Sequence, residues 1–163
     1  MDPTSEPSMN PSSVPTLIPS SQAWILGAED NTESSGVTIS TSTSHYTGTG
    51  YIDYEGYGSS TYIEWQFNAT EAGYYRFSVR YALATTTSTT YRPLELTINS
   101  EVVPVGQFEF PPVASSWDVW QYTISILGYL AQGESTIRLR AMGSTSGPNV
   151  VSIITIYLVC QLD

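Results

Sequence analysis

A hydrolase needs either two carboxylates in one site or a nucleophile beside its base, and this sequence offers neither pattern. Its glutamates from Glu55 onward are scattered singly, at Glu55, Glu64, Glu71, Glu95, Glu101, Glu109 and Glu134. The one histidine, His45 in STSHYTG, has no Asp or Glu within its motif, and no G-x-S-x-G elbow accompanies it, so it reads as a loop residue. GTGYIDYEGYG is glycine-rich, but no helix pattern follows to point backbone N–H groups at a phosphate. A single cysteine, Cys160, excludes an internal disulfide framework and a Cys-based zinc cluster. Catalysis has no foothold here, and the chain is not expected to be an enzyme.

What remains is recognition chemistry. Tyr46, Tyr51, Tyr54 and Tyr57 crowd the turn-rich segment YTGTGYIDYEGYG; Trp117 and Trp120 lie in ASSWDVWQ; Asn149 sits in SGPNV at the entry to the last apolar run. Sugars present C–H groups that settle on the negative face of an aromatic ring. Their hydroxyls need paired donors and acceptors, which one planar Asn amide supplies. Arg92 adds a bidentate clamp, and if it faces such a site, uronic acids should outcompete neutral sugars. Trp117, preceded by two serines, is expected exposed in a site; Trp120, at the start of an alternating run, is expected in the core.

The elements that must position these groups follow from hydrophobic alternation. Ile63, Trp65 and Phe67 share one face of TYIEWQFN, with Tyr62, Glu64 and Gln66 on the other. Tyr75, Phe77, Val79 and Tyr81 alternate with Arg76, Ser78 and Arg80. The same period of two runs through Leu94, Leu96 and Ile98, then Tyr122, Ile124 and Ile126, then Ile137 and Leu139. VVSIITIYLVC is apolar on both faces and should be a central strand. Turn clusters separate these runs, and no helical period appears. The pattern predicts an all-β, antiparallel sandwich of about nine or ten strands over residues 22–163.

Residues 1–21 differ. Pro3, Pro7, Pro11, Pro15 and Pro19 recur every four residues, each followed by a hydroxyl side chain. Proline at this density favours extended polyproline II and leaves little apolar surface to bury, so a Pro/Ser/Thr-rich linker or disordered stalk is expected. The start shows no basic and apolar leader, and the piece is expected to be cut from a longer secreted protein. Among 163 residues, five Arg and no Lys stand against 15 Asp and Glu, for a net charge of −10. Such a surface repels phosphate and disfavours nucleic acid and anionic membrane as partners. No apolar run approaches the length of a membrane helix. Low charge with abundant Ser, Thr, Tyr and Trp suggests an extracellular or cell-wall β domain, and Asn68 in N-A-T is a glycosylation sequon expected in an exposed turn.

These residues, taken in order, resemble a known group. GAED, HYTGTGYIDYEGYG, YYRFSVRYA, RPLELTINSE and SWDVWQYTISILGYLAQGESTIRLRAMGSTSGPNV are similar to carbohydrate-binding modules of families 6 and 35, from about residue 24 to 160. The resemblance implies a jelly-roll sandwich that binds glycans without cleaving them, in loops at one end. It implies that Tyr51 and Trp117 stack a sugar, that Asn149 hydrogen-bonds it from the floor, and that Arg92 is a further contact; Tyr46 and Glu55 are placed beside them. It also brings up the structural calcium that relatives hold between first-strand side chains and an Asp after GPN. Here Glu29 is in place, but Gly27 and Val151 stand at the other ligand positions. A lone carboxylate is a weak site for an ion wanting six to eight oxygens, so Glu29 is left as the one possible ligand and the domain is expected to fold without calcium. The Pro-Ser/Thr stalk resembles linkers of secreted algal proteins, in particular those of diatoms.

Two functions compete on these grounds. One is a non-catalytic module that targets a secreted or cell-wall protein to a polysaccharide. The other is a structural or adhesion domain that binds protein partners and carries a vestigial sugar site.

Overall fold

The structure is a computed structural model, and it describes residues 22–56, 58–84, 92–100, 104–142 and 147–158. The linker at 1–21, Tyr57 and Cys160 lie outside the described residues.

Twelve strands are described: β1 (Ala23–Gly27), β2 (Glu33–Ser35), β3 (Val37–Ser40), β4 (Tyr51–Tyr54), β5 (Tyr62–Ala69), β6 (Gly73–Ala82), β7 (Leu94–Ile98), β8 (Gly106–Phe108), β9 (Gln121–Tyr122), β10 (Ile126–Leu130), β11 (Gly133–Ala141) and β12 (Asn149–Leu158). They form two antiparallel sheets. One runs β10-β6-β12-β4-β3, with β9 beside β6 and β1 beside β12; the other runs β2-β5-β11-β7-β8. The excess over nine or ten strands comes from pieces of two or three residues, such as β2, β8 and β9.

β12 is the central strand that its doubly apolar sequence predicts. Along one side it pairs with β6; along the other, its first residues pair with β4 and its later ones with β1. The alternating runs bury the expected faces between the sheets. Ile63, Trp65 and Phe67 of β5, Tyr75, Phe77, Val79 and Tyr81 of β6, and Ile137 and Leu139 of β11 all join one core. Trp24 packs edge-on against Phe67 at 5.4 Å, and burying aromatic surface of this kind supplies much of the stability of a domain this size.

The outer face of the second sheet is held by ions. Glu64 of β5 is buried, and its Oε2 accepts from Arg138 Nε at 2.7 Å. The Arg138 guanidinium lies over the Tyr62 ring at 4.0 Å, and Tyr62 donates to Glu33 at 2.5 Å. Next to them Arg140 pairs with the buried Glu95.

Two expectations are corrected. Tyr122, Ile124 and Ile126 do not lie on one strand. The Val79 N–H donates to the Thr123 side-chain hydroxyl, and the Thr123 N–H to the Val79 carbonyl. With a side chain taking the place of the next ladder acceptor, β9 stops at Tyr122 and Ile124 turns outward, 92% exposed. Trp120 is not in the core either; it is half-buried at the loop rim, where its indole N–H donates to the Ser44 carbonyl at 2.8 Å.

Candidate functional site

Four segments far apart in sequence converge on one end of the sandwich. β4 brings Tyr51 and Asp53, the approach to β7 brings Arg92, the loop after β8 brings Trp117, and the start of β12 brings Asn149. With Ser42 and Thr43 from the loop after β3, these residues line a cleft of about 290 Å³. The alternation of β4 explains half of this. Ile52 and Tyr54 enter the core, so Tyr51 and Asp53 must face the other way, toward the cleft. Pairing explains the rest: Asn149 is the cross-strand partner of Asp53.

Trp117 is packed on its inner side against the core, and the Arg92 guanidinium stands 5.9 Å from its ring centroid. Arg92 Nη1 also donates to the Gly147 carbonyl at 3.2 Å. A Cβ at Gly147 would lie 2.7 Å from the Tyr54 ring, so only glycine lets this loop approach closely enough to seat Asn149 beside the cleft.

The two loops that wall the cleft are tied to each other. Asp118 Oδ1 accepts from the Ser44 N–H at 2.6 Å and from its hydroxyl at 2.9 Å, while Oδ2 accepts from Ser116. These donors, the Ser44 N–H first, hold the Asp118 carboxyl below its ordinary range. Arg80 reinforces the tie by donating to the His45 carbonyl at 3.0 Å. His45 itself is an exposed loop residue with φ of 62°, as its motif predicts.

Tyr51, Trp117, Asn149 and Arg92, the residues expected together, are thus brought to one cleft. The stacking role expected for Tyr51 does not fit its placement, because the ring is only 1% exposed, packed between Tyr46 at 5.7 Å and Trp120 at 5.4 Å. Its hydroxyl bonds to Ser42 Oγ at 2.9 Å, so Tyr51 builds the wall and Trp117 remains as the open aromatic surface. Tyr46 stands behind Tyr51, and Glu55 is exposed and accepts from the Thr38 hydroxyl at 3.0 Å. Neither is among the cleft-lining side chains.

Asp53, Ser42 and Thr43 are additions to the expected set. The signal for Asp53 was its spacing of two from Tyr51, which puts both on one strand face. Burial raises the Asp53 carboxyl above its ordinary value, the Glu55 charge adds to this, and Arg92 opposes it. Thr43 Oγ1 is buried without a hydrogen-bond partner, a polar group ready for a ligand hydroxyl.

The calcium position lies elsewhere, in a hollow lined by Gly27, Glu29, Asp30, Thr47, Val151 and Ser152 among others. Glu29 Oε1 accepts from the Thr49 N–H at 2.9 Å, and Oε2 is buried and unpartnered. The Gly27 carbonyl accepts from the Trp65 indole N–H at 2.7 Å. Among the described residues no group of three or more His, Cys, Asp or Glu could hold a metal. Two carboxylates and the hydroxyls of Thr47 and Ser152, beside the apolar Ile25 and Val151, fall short of the six to eight oxygens of calcium, and the residues do not fit the ion.

Comparison with known proteins adds to this geometry. The family model described as carbohydrate binding module (family 6) matches residues 27–158. A family 35 carbohydrate-binding module from Clostridium thermocellum is similar in structure, with a TM-score of 0.72 and 32% identity, covering 82% of this chain and 97% of that one. A family 35 module from Paenibacillus barcinonensis has a TM-score of 0.70 and 27% identity, covering 83% of this chain and 98% of its own. An exo-beta-D-glucosaminidase of Amycolatopsis orientalis is 35% identical over 126 residues, 77% of this chain. The chain spans only 11% of that enzyme's length.

Proposed function

The chain belongs to the family 6 carbohydrate-binding modules, with family 35 modules as structural relatives, and from that premise we propose that the cleft of Trp117, Asp53, Arg92 and Asn149 is its sugar site. The convergence of these four side chains from separate segments carries the reading. Trp117 offers the ring for a sugar face, while Asn149, Arg92 and the unpartnered Thr43 hydroxyl offer donors and acceptors for its hydroxyls.

The module binds without cleaving and holds a larger protein on a polysaccharide. Support comes from the scattered acidic residues and from the glucosaminidase relative, in which the matching stretch is a small part of a long chain. A secreted or cell-wall setting follows from that use. The sequon at Asn68 supports it by its exposure alone: the expected turn position is corrected, because Asn68 lies on β5 opposite Glu134. Expression in a glycosylating host should add a mass that Asn68→Gln removes; an unchanged mass would retract the glycosylation reading.

Binding is tested on a glycan array with the 163-residue chain and its Trp117→Ala variant. Wild type should mark a restricted set of glycans and the variant should lose them. Because Trp117 also packs on the core, melting of the variant must be followed in parallel. If the wild type marks no glycan, the reading fails.

A protein-contact role is the second reading, favoured by a separate groove of about 430 Å³. Tyr81, Phe108, Tyr122, Ile124 and Ile126 line it, and Tyr122 and Ile124 are exposed. An empty array with retained binding to a protein partner would favour it.

A further inference from the structure

Resting on the sugar-site reading above, we propose that Asp53 sets the chemical class of the ligand: the cleft selects sugars carrying an amino group and discriminates against sugars carrying a carboxylate. The expectation from Arg92 alone was the opposite, a preference for uronic acids. Three observations turn it around.

Arg92 is not a free cation waiting for a carboxylate. Its Nη1 donates to the Gly147 carbonyl, its guanidinium carbon stands over the Trp117 ring at 5.9 Å, and its charge acts on Asp53. Asp53 stands in the same cleft, partly buried, opposite Asn149 on the neighbouring strand. An incoming carboxylate would therefore meet an Arg92 field already opposed by a fixed anion.

The surroundings push the same way. Glu55 follows Asp53 by two residues and raises its carboxyl, Asp118 adjoins Trp117, and the whole chain carries −10. A ligand carboxylate adds repulsion to this set, and partial burial weakens the screening. A ligand ammonium reverses every sign: it donates to the Asp53 carboxylate in a charge-assisted hydrogen bond, roughly twice as strong as a neutral one. Asp53 has the fitting character for this pairing, an acceptor whose own burial is only partly offset by Arg92. Specificity then comes as much from what the site repels as from what it holds.

The test uses three probes that share one ring: the methyl β-glycosides of glucosamine, glucose and glucuronic acid, titrated calorimetrically into the 163-residue chain at neutral pH. Wild type should bind the glucosaminide about tenfold more tightly than the glucuronide, with the glucoside between. Asp53→Asn should collapse that ratio to near unity, and Asp53→Glu should restore part of it, which a merely misfolded variant would not do. A wild type that binds the glucuronide as tightly as the glucosaminide overturns the proposal. So does an Asp53→Asn variant with the wild-type ratio. If those failures occur while Trp117→Ala still abolishes binding, the sugar site stands and only the role of Asp53 falls. If no probe binds wild type while the glycan array is positive, the role of Asp53 falls and the sugar site stands; if the array is empty as well, both fall.

Discussion

Asn149 and Asp53 face each other as cross-strand partners of β12 and β4, at the end of the sandwich where both side chains reach one cleft. The pairing places an amide and a carboxylate side by side in the cleft that Trp117 also lines, and most of what the cleft can do follows from that neighbourhood.

The first consequence concerns acid and stability. Burial and Glu55 raise the folded-state pKa of Asp53 above its unfolded value of 3.8. A group shifted upward in the fold costs stability once pH exceeds the folded value, because the native state holds the charged form less well. Asp53→Asn should therefore raise the melting temperature at pH 7. The gain should shrink as pH falls through the folded pKa and vanish below 3.8. A gain that is the same at pH 3 and pH 7 would show that the charge is not its source.

The ion pair between Arg138 and Glu64 behaves differently, since only one partner is well buried: the side chains are 27% and 7% exposed. Arg138→Ala leaves Glu64 without its partner and strips the cation from the Tyr62 ring. The expected cost is about 2–3 kcal/mol, below the range for fully buried pairs because solvent reaches Arg138. Denaturant unfolding measures it, and a loss under about 0.5 kcal/mol would class the pair with ordinary surface ion pairs.

Metal removal should do nothing. Gly27 and Val151 leave Glu29 and Asp30 as the carboxylates of the hollow, too few for the oxygen shell of calcium. Excess chelator should leave the melting temperature unchanged, and added calcium should not raise it. A shift of several degrees on chelation would mean that Glu29 Oε2 completes a cation site from backbone oxygens.

The sandwich was legible in sequence wherever one strand face is buried and the other is not. Ile63, Trp65 and Phe67 alternate because the core lies on one side only, and the run through Tyr75 to Tyr81 reads the same way. Alternation misleads where a side chain enters the ladder. Nothing in QYTISI distinguishes Thr123 from any strand threonine until its hydroxyl is seen to accept from Val79. The convergence of Tyr51, Arg92, Trp117 and Asn149 was legible through family likeness, not through spacing. That Tyr51 is closed off was not legible, because its burial depends on Tyr46 and Trp120 arriving from two loops. Asp53 was passed over inside a tyrosine-rich motif; only the pairing with Asn149 shows where it points.

The central claim, that a sugar lies on Trp117, is tested most directly by the indole N–H signals of the four tryptophans in an NMR titration with an array-positive oligosaccharide. The Trp65 indole N–H is tied to the Gly27 carbonyl and Trp24 packs against Phe67 and Tyr75, so these two are internal controls, while the Trp120 indole N–H is tied to the Ser44 carbonyl beside the cleft. The account predicts a saturable shift of the Trp117 signal, a smaller one at the neighbouring Trp120, and none at Trp24 or Trp65. Saturable binding that leaves Trp117 unmoved, with shifts at Tyr122 and Ile124 instead, would contradict it.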